Sequence, residues 1–235
     1  MKRTVTPELL DSDRGSAAEI ADSLADLRMF NRWFGGVATT CHLVRQIARR
    51  TGAKQLSLLD VGGASGDVPQ HVARRLAREG VHVEFMVIDH SPAHLNGTRH
   101  AVAGDALALP FGDHSFDLVS SSLFAHHLEP GELVRFINES LRVARVAALV
   151  NDLRRSPVHL ALTYAGFALY RSRLTRHDAP ASVRRAYTPK EMLEWMQATS
   201  ADLVEMSHHY LCRMGAIAWK ATVAASKDCH PDRAL

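Results

Sequence analysis

At 235 residues, with 46% hydrophobic and 23% charged side chains, the chain suits one folded domain with a sizeable core, which argues against a second full domain and against disorder. Lysine and arginine exceed aspartate and glutamate by 28 to 25, a net charge of +3 too mild to imply nucleic acid as a partner. Arginine pairs such as Arg49-Arg50, Arg74-Arg75, Arg154-Arg155 and Arg184-Arg185 read as solvated helix faces unless they border a cleft. Cys41, Cys212 and Cys229 show no C-x-x-C spacing, so neither a disulfide framework nor a zinc knuckle is expected. The polar residues 1–13 lack a signal-like apolar core, and a cytoplasmic location is expected. The longest apolar stretch, 158–169, falls short of the roughly 20 residues that stable membrane insertion requires.

In chain order, a helical region at 17–30 leads into Asn31-Arg32-Trp33-Phe34-Gly35-Gly36, and a second amphipathic helix covers 39–50. The run Q-L-S-L-L-D-V at 55–61 reads as a buried parallel strand. Glycines follow it, and then Val68, Val72 and Leu76 recur at helical spacing. A second strand is expected at 81–88, with Ser91-Pro92 opening another helix. Short third and fourth strands are expected at 101–102 and 116–121, a helix at 131–143 and a fifth strand at 146–151. Beyond these come an apolar helical segment at 158–170, a basic linker at 171–185, a helix after Thr188-Pro189, and strand-like runs at 203–211 and 215–221. This alternation predicts an α/β fold, a doubly wound Rossmann-like sheet of about seven mostly parallel strands that binds ligands at the strands' carboxyl ends. The whole of 1–235 reads as one unit: an N-terminal helical cap at 1–50, a core at 51–155, a lid or insertion at 156–187, and a C-terminal helix and strands at 188–222.

The most informative stretch is Asp60-Val61-Gly62-Gly63-Ala64-Ser65-Gly66-Asp67, between the first strand and the first core helix. Glycines there let a ligand approach the backbone. A dinucleotide fingerprint requires G-x-G-x-x-G/A, whereas Gly62 is followed at those positions by Ala64 and Asp67. Asp67 places a carboxylate near the helix N-terminus, where a pyrophosphate would need the backbone donors.

These residues resemble the first motif of the class I S-adenosylmethionine (SAM)-dependent methyltransferases, an acidic residue followed by G-x-G-x-G. The resemblance extends in order through residues 55–151. Asp89, followed by His90, ends strand two, where the family carries the acid that binds the ribose hydroxyls. Gly104-Asp105-Ala106, followed by Leu109-Pro110-Phe111, resembles the adenine-binding stretch, and Phe116-Asp117-Leu118-Val119 matches the fourth strand. By resemblance, Asp60, Gly62, Gly63, Ala64, Gly66, Asp89, His90, Gly104, Asp105, Ala106 and Ser121 are the expected SAM-binding residues. Ala64 departs from the family's usual glycine.

Methyl transfer needs an acceptor atom held in line with the donor methyl group, exclusion of water, and sometimes a base. His126 and His127, just past the fourth strand, are the candidate bases, with His127 slightly preferred. Among the 14 histidines, His90 and His94 are four apart but lack H-E-x-x-H or a carboxylate cluster, and His208-His209 point to opposite faces of a strand; no metal site is expected. The aromatics around residues 29–34 and the apolar segment 158–170 are the candidate walls of an acceptor pocket, although a sheet-packed helix and a homodimer interface explain them equally well. The arrangement resembles the quinone and polyketide-tailoring branch. A small hydrophobic phenolic, quinone or polyketide-like acceptor, methylated at oxygen or an activated carbon, is expected. A nucleic-acid methyltransferase is the rival, but Ser120-Ser121-Ser122-Leu123 stands where an N/D-P-P-Y/F motif would lie. A non-catalytic SAM-binding protein is the second rival.

Overall fold

The computed structural model describes residues 1–12, 14–95, 98, 100–210 and 212–221. Asp13, Leu211, position 222 and Cys229 lie outside the described residues. Seven strands form one sheet: β1 (Gln55–Val61), β2 (His82–Asp89), β3 (Ala101–Ala103), β4 (Phe116–Ser122), β5 (Ala144–Leu153), β6 (Leu203–His209) and β7 (Arg213–Trp219), in the order β3-β2-β1-β4-β5-β7-β6. The first five pair in parallel, and β7 runs antiparallel to both β5 and β6. From β1 the chain winds outward through β2 and β3, then returns to β4 on the other side. The crevice where this winding reverses, at the carboxyl ends of β1 and β4, is where such sheets bind ligands.

Both faces of the sheet are covered, which explains why β1 is almost continuously apolar. Adjacent residues point to opposite faces. Leu58 and Leu118 pack with Leu43, Ile47, Val72 and Leu76 of α2 (Gly36–Thr51) and α3 (Asp67–Ala77). Leu59 and Val119 pack instead with Leu133, Phe136, Met192 and Met196 of α4 (Pro130–Val143) and α7 (Pro189–Gln197). α1 (Ala17–Trp33) begins at a capping box formed by Ser16 and Glu19. None of the described helices is long and apolar enough to cross a membrane.

Three expectations change. Ser91-Pro92 opens only a short 3-10 turn, Pro92–Leu95, among the described residues. The segment 158–170 is α5 (Pro157–Ala165) followed by a 3-10 turn, Gly166–Leu169. The expected basic linker is a helix, α6 (Arg173–Arg185), whose N-cap Ser172 hydroxyl accepts a hydrogen bond from the Leu174 amide. Its arginines mark only one side. Leu174, Thr175, Ala181 and Val183 are buried, and burying that stripe outweighs the helix-disfavouring Pro180 within it.

Candidate active site

The turn after β1 is shaped by close approach. A Cβ on Gly62 (φ +68°) would lie 2.8 Å from the Phe124 ring, and one on Gly63 would lie 2.6 Å from the Asp60 carboxylate. Ala64 adopts φ +43°, a left-handed conformation disfavoured by a Cβ, so the departure from glycine leaves the turn intact at some local strain. The Asp89 carboxylate holds it in place, accepting hydrogen bonds from the Ala64 amide (2.9 Å) and the Ser91 amide (3.0 Å). Burial opposes its charge, but these amides and His94 prevail and lower its pKa.

Asp60 is fully buried beneath the turn. One of its oxygens accepts the Ser120 hydroxyl at 2.6 Å, and the other has no hydrogen-bond partner. Burial pushes its pKa up to about 7 despite Ser120. Arg213, equally buried on β7, donates to Asn151 and Asn31 side-chain oxygens at 3.3 Å and to the Phe34 carbonyl at 3.2 Å. Burial lowers its pKa to about 10.

A cavity of about 420 Å³ connects these groups. At one end are Asp60, Gly62, Gly63, Ala64, Asp67 and Arg213; at the other are Glu8, His126 and His127. Leu24, Leu27 and Phe30 of α1, Leu162 of α5, Val183 of α6, and Leu169 and Tyr170 between those two helices form apolar walls. The cap is tied to this roof by Asp26, whose carboxylate accepts the Arg171 and Ser172 amides.

The far end is built by residues from distant parts of the sequence. His126 Nδ1 lies 2.7 Å from Asp152 Oδ1, and the other Asp152 oxygen accepts the His126 amide at 2.8 Å. His127 Nδ1 lies 2.8 Å from Asp11. Glu8 accepts the Ser182 hydroxyl at 2.8 Å and faces His126 Nε2 at 3.6 Å and His127 Nε2 at 3.9 Å. Burial opposes the imidazolium of His126, but Asp152 and Glu8 outweigh it and raise the pKa to about 10.

Of the expected site residues, Asp60, Gly62, Gly63, Ala64, His126 and His127 line this cavity. Asp89 supports its wall through Ala64. Gly66 adopts φ +67° at the start of α3, and buried Ser121 lies behind the wall without a side-chain partner. His90 and Asp105 are exposed; Asp105 caps its own loop by accepting the Leu107 amide. Gly104 packs against Ile88, and Ala106 joins the periphery of the core. The sequence reading missed Glu8, Asp11, Asp152, Ser182 and Arg213. Acids in a polar terminus and an arginine on a strand have no local signal for the cavity they face.

Residues 59–150 match the family model of a methyltransferase domain. Ajmaline N-methyltransferase from Rauvolfia serpentina is 35% identical over 117 residues, covering 47% of this chain and 39% of that protein. The chain therefore spans about two fifths of the length of this curated relative. Among solved structures, the plantazolicin methyltransferase BpumL in complex with SAH superposes with a TM-score of 0.63 at 10% identity, covering 86% of this chain and 90% of that one. The CMeT domain of the citrinin polyketide synthase gives 0.52 at 13% identity, covering 70% and 46%. At these identities the superpositions establish the fold.

Proposed function

We propose that the chain is a class I SAM-dependent methyltransferase, a reading supported by the match of residues 59–150 to a methyltransferase-domain model, and that it transfers the methyl group of SAM to a small hydrophobic acceptor. The acceptor class is phenolic, quinone or polyketide-like, and the methylated atom is an oxygen or an activated carbon. One observation carries this reading: a single cavity runs from the glycine turn to an imidazole pair between apolar walls. The relatives named above are an ajmaline N-methyltransferase, a plantazolicin methyltransferase and the CMeT domain of a polyketide synthase, which supports a small-molecule acceptor.

In this reading the turn at Gly62, Gly63 and Ala64 receives the donor, and Asp89 shapes that turn by accepting the Ala64 amide. Asp60 supplies negative charge toward the donor's cationic end, and Arg213, with no carboxylate at ion-pair distance among the described residues, meets its carboxylate. The acceptor lies under α5 and α6, with its reacting atom against His126 and His127. His126 is locked between Asp152 and Glu8, whereas His127, at the edge of the cavity, is placed to pass the acceptor's proton toward solvent. The donor's carbon–sulfur bond breaks as the new bond forms, and SAH leaves as a neutral thioether. Alignment and exclusion of water supply most of the rate.

Calorimetry with SAH tests the donor site. Binding is expected in the wild type. Gly62→Val, whose Cβ has no room beside Phe124, should weaken it by about tenfold or more, a loss of about 1.4 kcal/mol. Absence of SAH binding by the folded wild type would overturn the reading.

A further inference from the structure

Glu8 lies near the N-terminus and His126-His127 lie past β4, yet one oxygen and two ring nitrogens from these residues all fall within 4.8 Å of one another. Asp152 and Asp11 are acceptors, so Nδ1 of each imidazole donates to its own carboxylate. That orients both Nε2 atoms toward Glu8. His126 Nε2 is buried and has no hydrogen-bond partner, because 3.6 Å to Glu8 is beyond hydrogen-bond reach. A buried nitrogen and a buried carboxylate oxygen thus face each other at ion-pair distance but beyond a direct hydrogen bond, and an ion bound between them displaces the Nε2 proton.

We propose that Glu8, His126 and His127 form a binding site for one divalent transition-metal ion, with both Nε2 atoms and the Glu8 carboxylate as ligands. The separations of 3.6 and 3.9 Å are a few tenths of an ångström wider than the edge of about 3.3 Å that tetrahedral bonds of 2.0–2.1 Å require. The two Nε2 atoms lie within 4.8 Å of each other, so binding draws the imidazoles together as well as toward Glu8. The supports match those of metal sites, where a ligating histidine donates its other nitrogen to a carboxylate that fixes its orientation. Asp152 and Asp11 do this here, and Ser182 fixes Glu8. The carboxylate itself is held in place because Asp178 accepts the following amides, Leu9 at 2.8 Å and Leu10 at 3.0 Å. Two imidazoles and one carboxylate select zinc, cobalt or iron over magnesium and calcium, which favour all-oxygen ligands.

Three protein ligands leave a coordination position open toward the cavity. The consequence for catalysis rests on the methyltransferase reading: an acceptor hydroxyl at that position becomes acidic enough to release its proton to water, and His127, with Nδ1 on Asp11 and Nε2 on the ion, then holds the ion instead of carrying the proton. Its oxygen then forms the bond to the methyl carbon while the donor's carbon–sulfur bond breaks. The metal requirement does not depend on that reading.

The test uses the full chain, stripped with a chelator and titrated with Co²⁺ followed by visible absorption, with Zn²⁺ stoichiometry read by elemental analysis. One ion per chain is expected, without competition from millimolar Mg²⁺. Glu8→Gln and His126→Ala should each weaken binding by about 100-fold, and Asp152→Asn by about tenfold. Glu8 sits on a terminal segment, so its variant remains informative if His126→Ala does not fold. SAH binding, measured in parallel, reports on folding and on the donor site separately. Absence of stoichiometric Co²⁺ and Zn²⁺ binding, or equal binding by wild type and Glu8→Gln, would overturn the metal site, and SAH binding in that protein would leave the methyltransferase reading standing.

Discussion

On the proposed donor site, burial of Asp60 makes SAM binding depend on pH. Burial raises its pKa from the ordinary 3.8 to about 7, so the fold favours the neutral acid. The sign follows from linkage: a carboxyl raised on folding contributes stability that is present below its unfolded pKa and is lost as pH rises toward 7. A cationic donor beside it reverses the preference, since it favours the carboxylate and pulls the proton off. SAM affinity should therefore rise with pH by up to about tenfold per unit below 7 and level off above it. Asp60→Asn should bind more weakly and lose that slope. Calorimetry from about pH 5 to 9 checks this; a flat wild-type profile would mean that Asp60 is ionised throughout and that burial is not the controlling effect.

At the scale of elements, the roof over the imidazole end of the cavity is α5 with its 3-10 turn, and it differs from the core helices in what it leaves uncovered. Val158, Leu162 and Leu169 are exposed at 66%, 48% and 61%, so little apolar burial holds this segment down beyond the Asp26 ties to residues 171 and 172. Residues 158–169 should exchange amide hydrogens faster than α2 or α4 in the free protein and slow by about tenfold when SAH and an acceptor are both bound. Unchanged exchange on loading would exclude a lid. The strand and turn from Gln55 to Asp67 were legible in the sequence because an apolar run, glycines and a 3.6-residue period follow one another with no need of long-range partners. α6 was not legible. Arg173, Arg176, Arg184 and Arg185 dominate its composition, and its helical character depends on burial of Leu174, Ala181 and Val183, which only the tertiary structure supplies.

Across the whole molecule, the proposed donor half and acceptor half of the cavity have different origins. The donor half is local: Asp60, the glycine turn and Asp89 all lie within two strands and the turn after the first. The acceptor half is closed by the first twelve residues. Arg3 donates to the Glu129 side chain and to the carbonyls of Leu128 and Arg185, the Thr4 amide donates to the Arg184 carbonyl, and Arg155 donates to the Met1 carbonyl. These ties bring Glu8 and Asp11 to the imidazole pair over sequence separations of more than a hundred residues, at which no periodicity or spacing operates. That is why the glycine turn could be read from the sequence and the acids beside the imidazole pair could not. The division also predicts a separable phenotype. Removal of residues 1–12 deletes Glu8 and Asp11 without touching the turn at Gly62 or the Asp89 carboxylate. SAH affinity should stay within about threefold of wild type. Turnover should fall by about 10²-fold or more, because His127 loses the Asp11 carboxylate that orients it, both imidazoles lose Glu8, and the cavity gains an opening to water. Parallel calorimetry and single-turnover assays with labelled SAM measure the two effects independently. Near-normal turnover by the shortened chain would show that the N-terminal segment is only packing, and that His126 and Asp152 suffice for the chemistry.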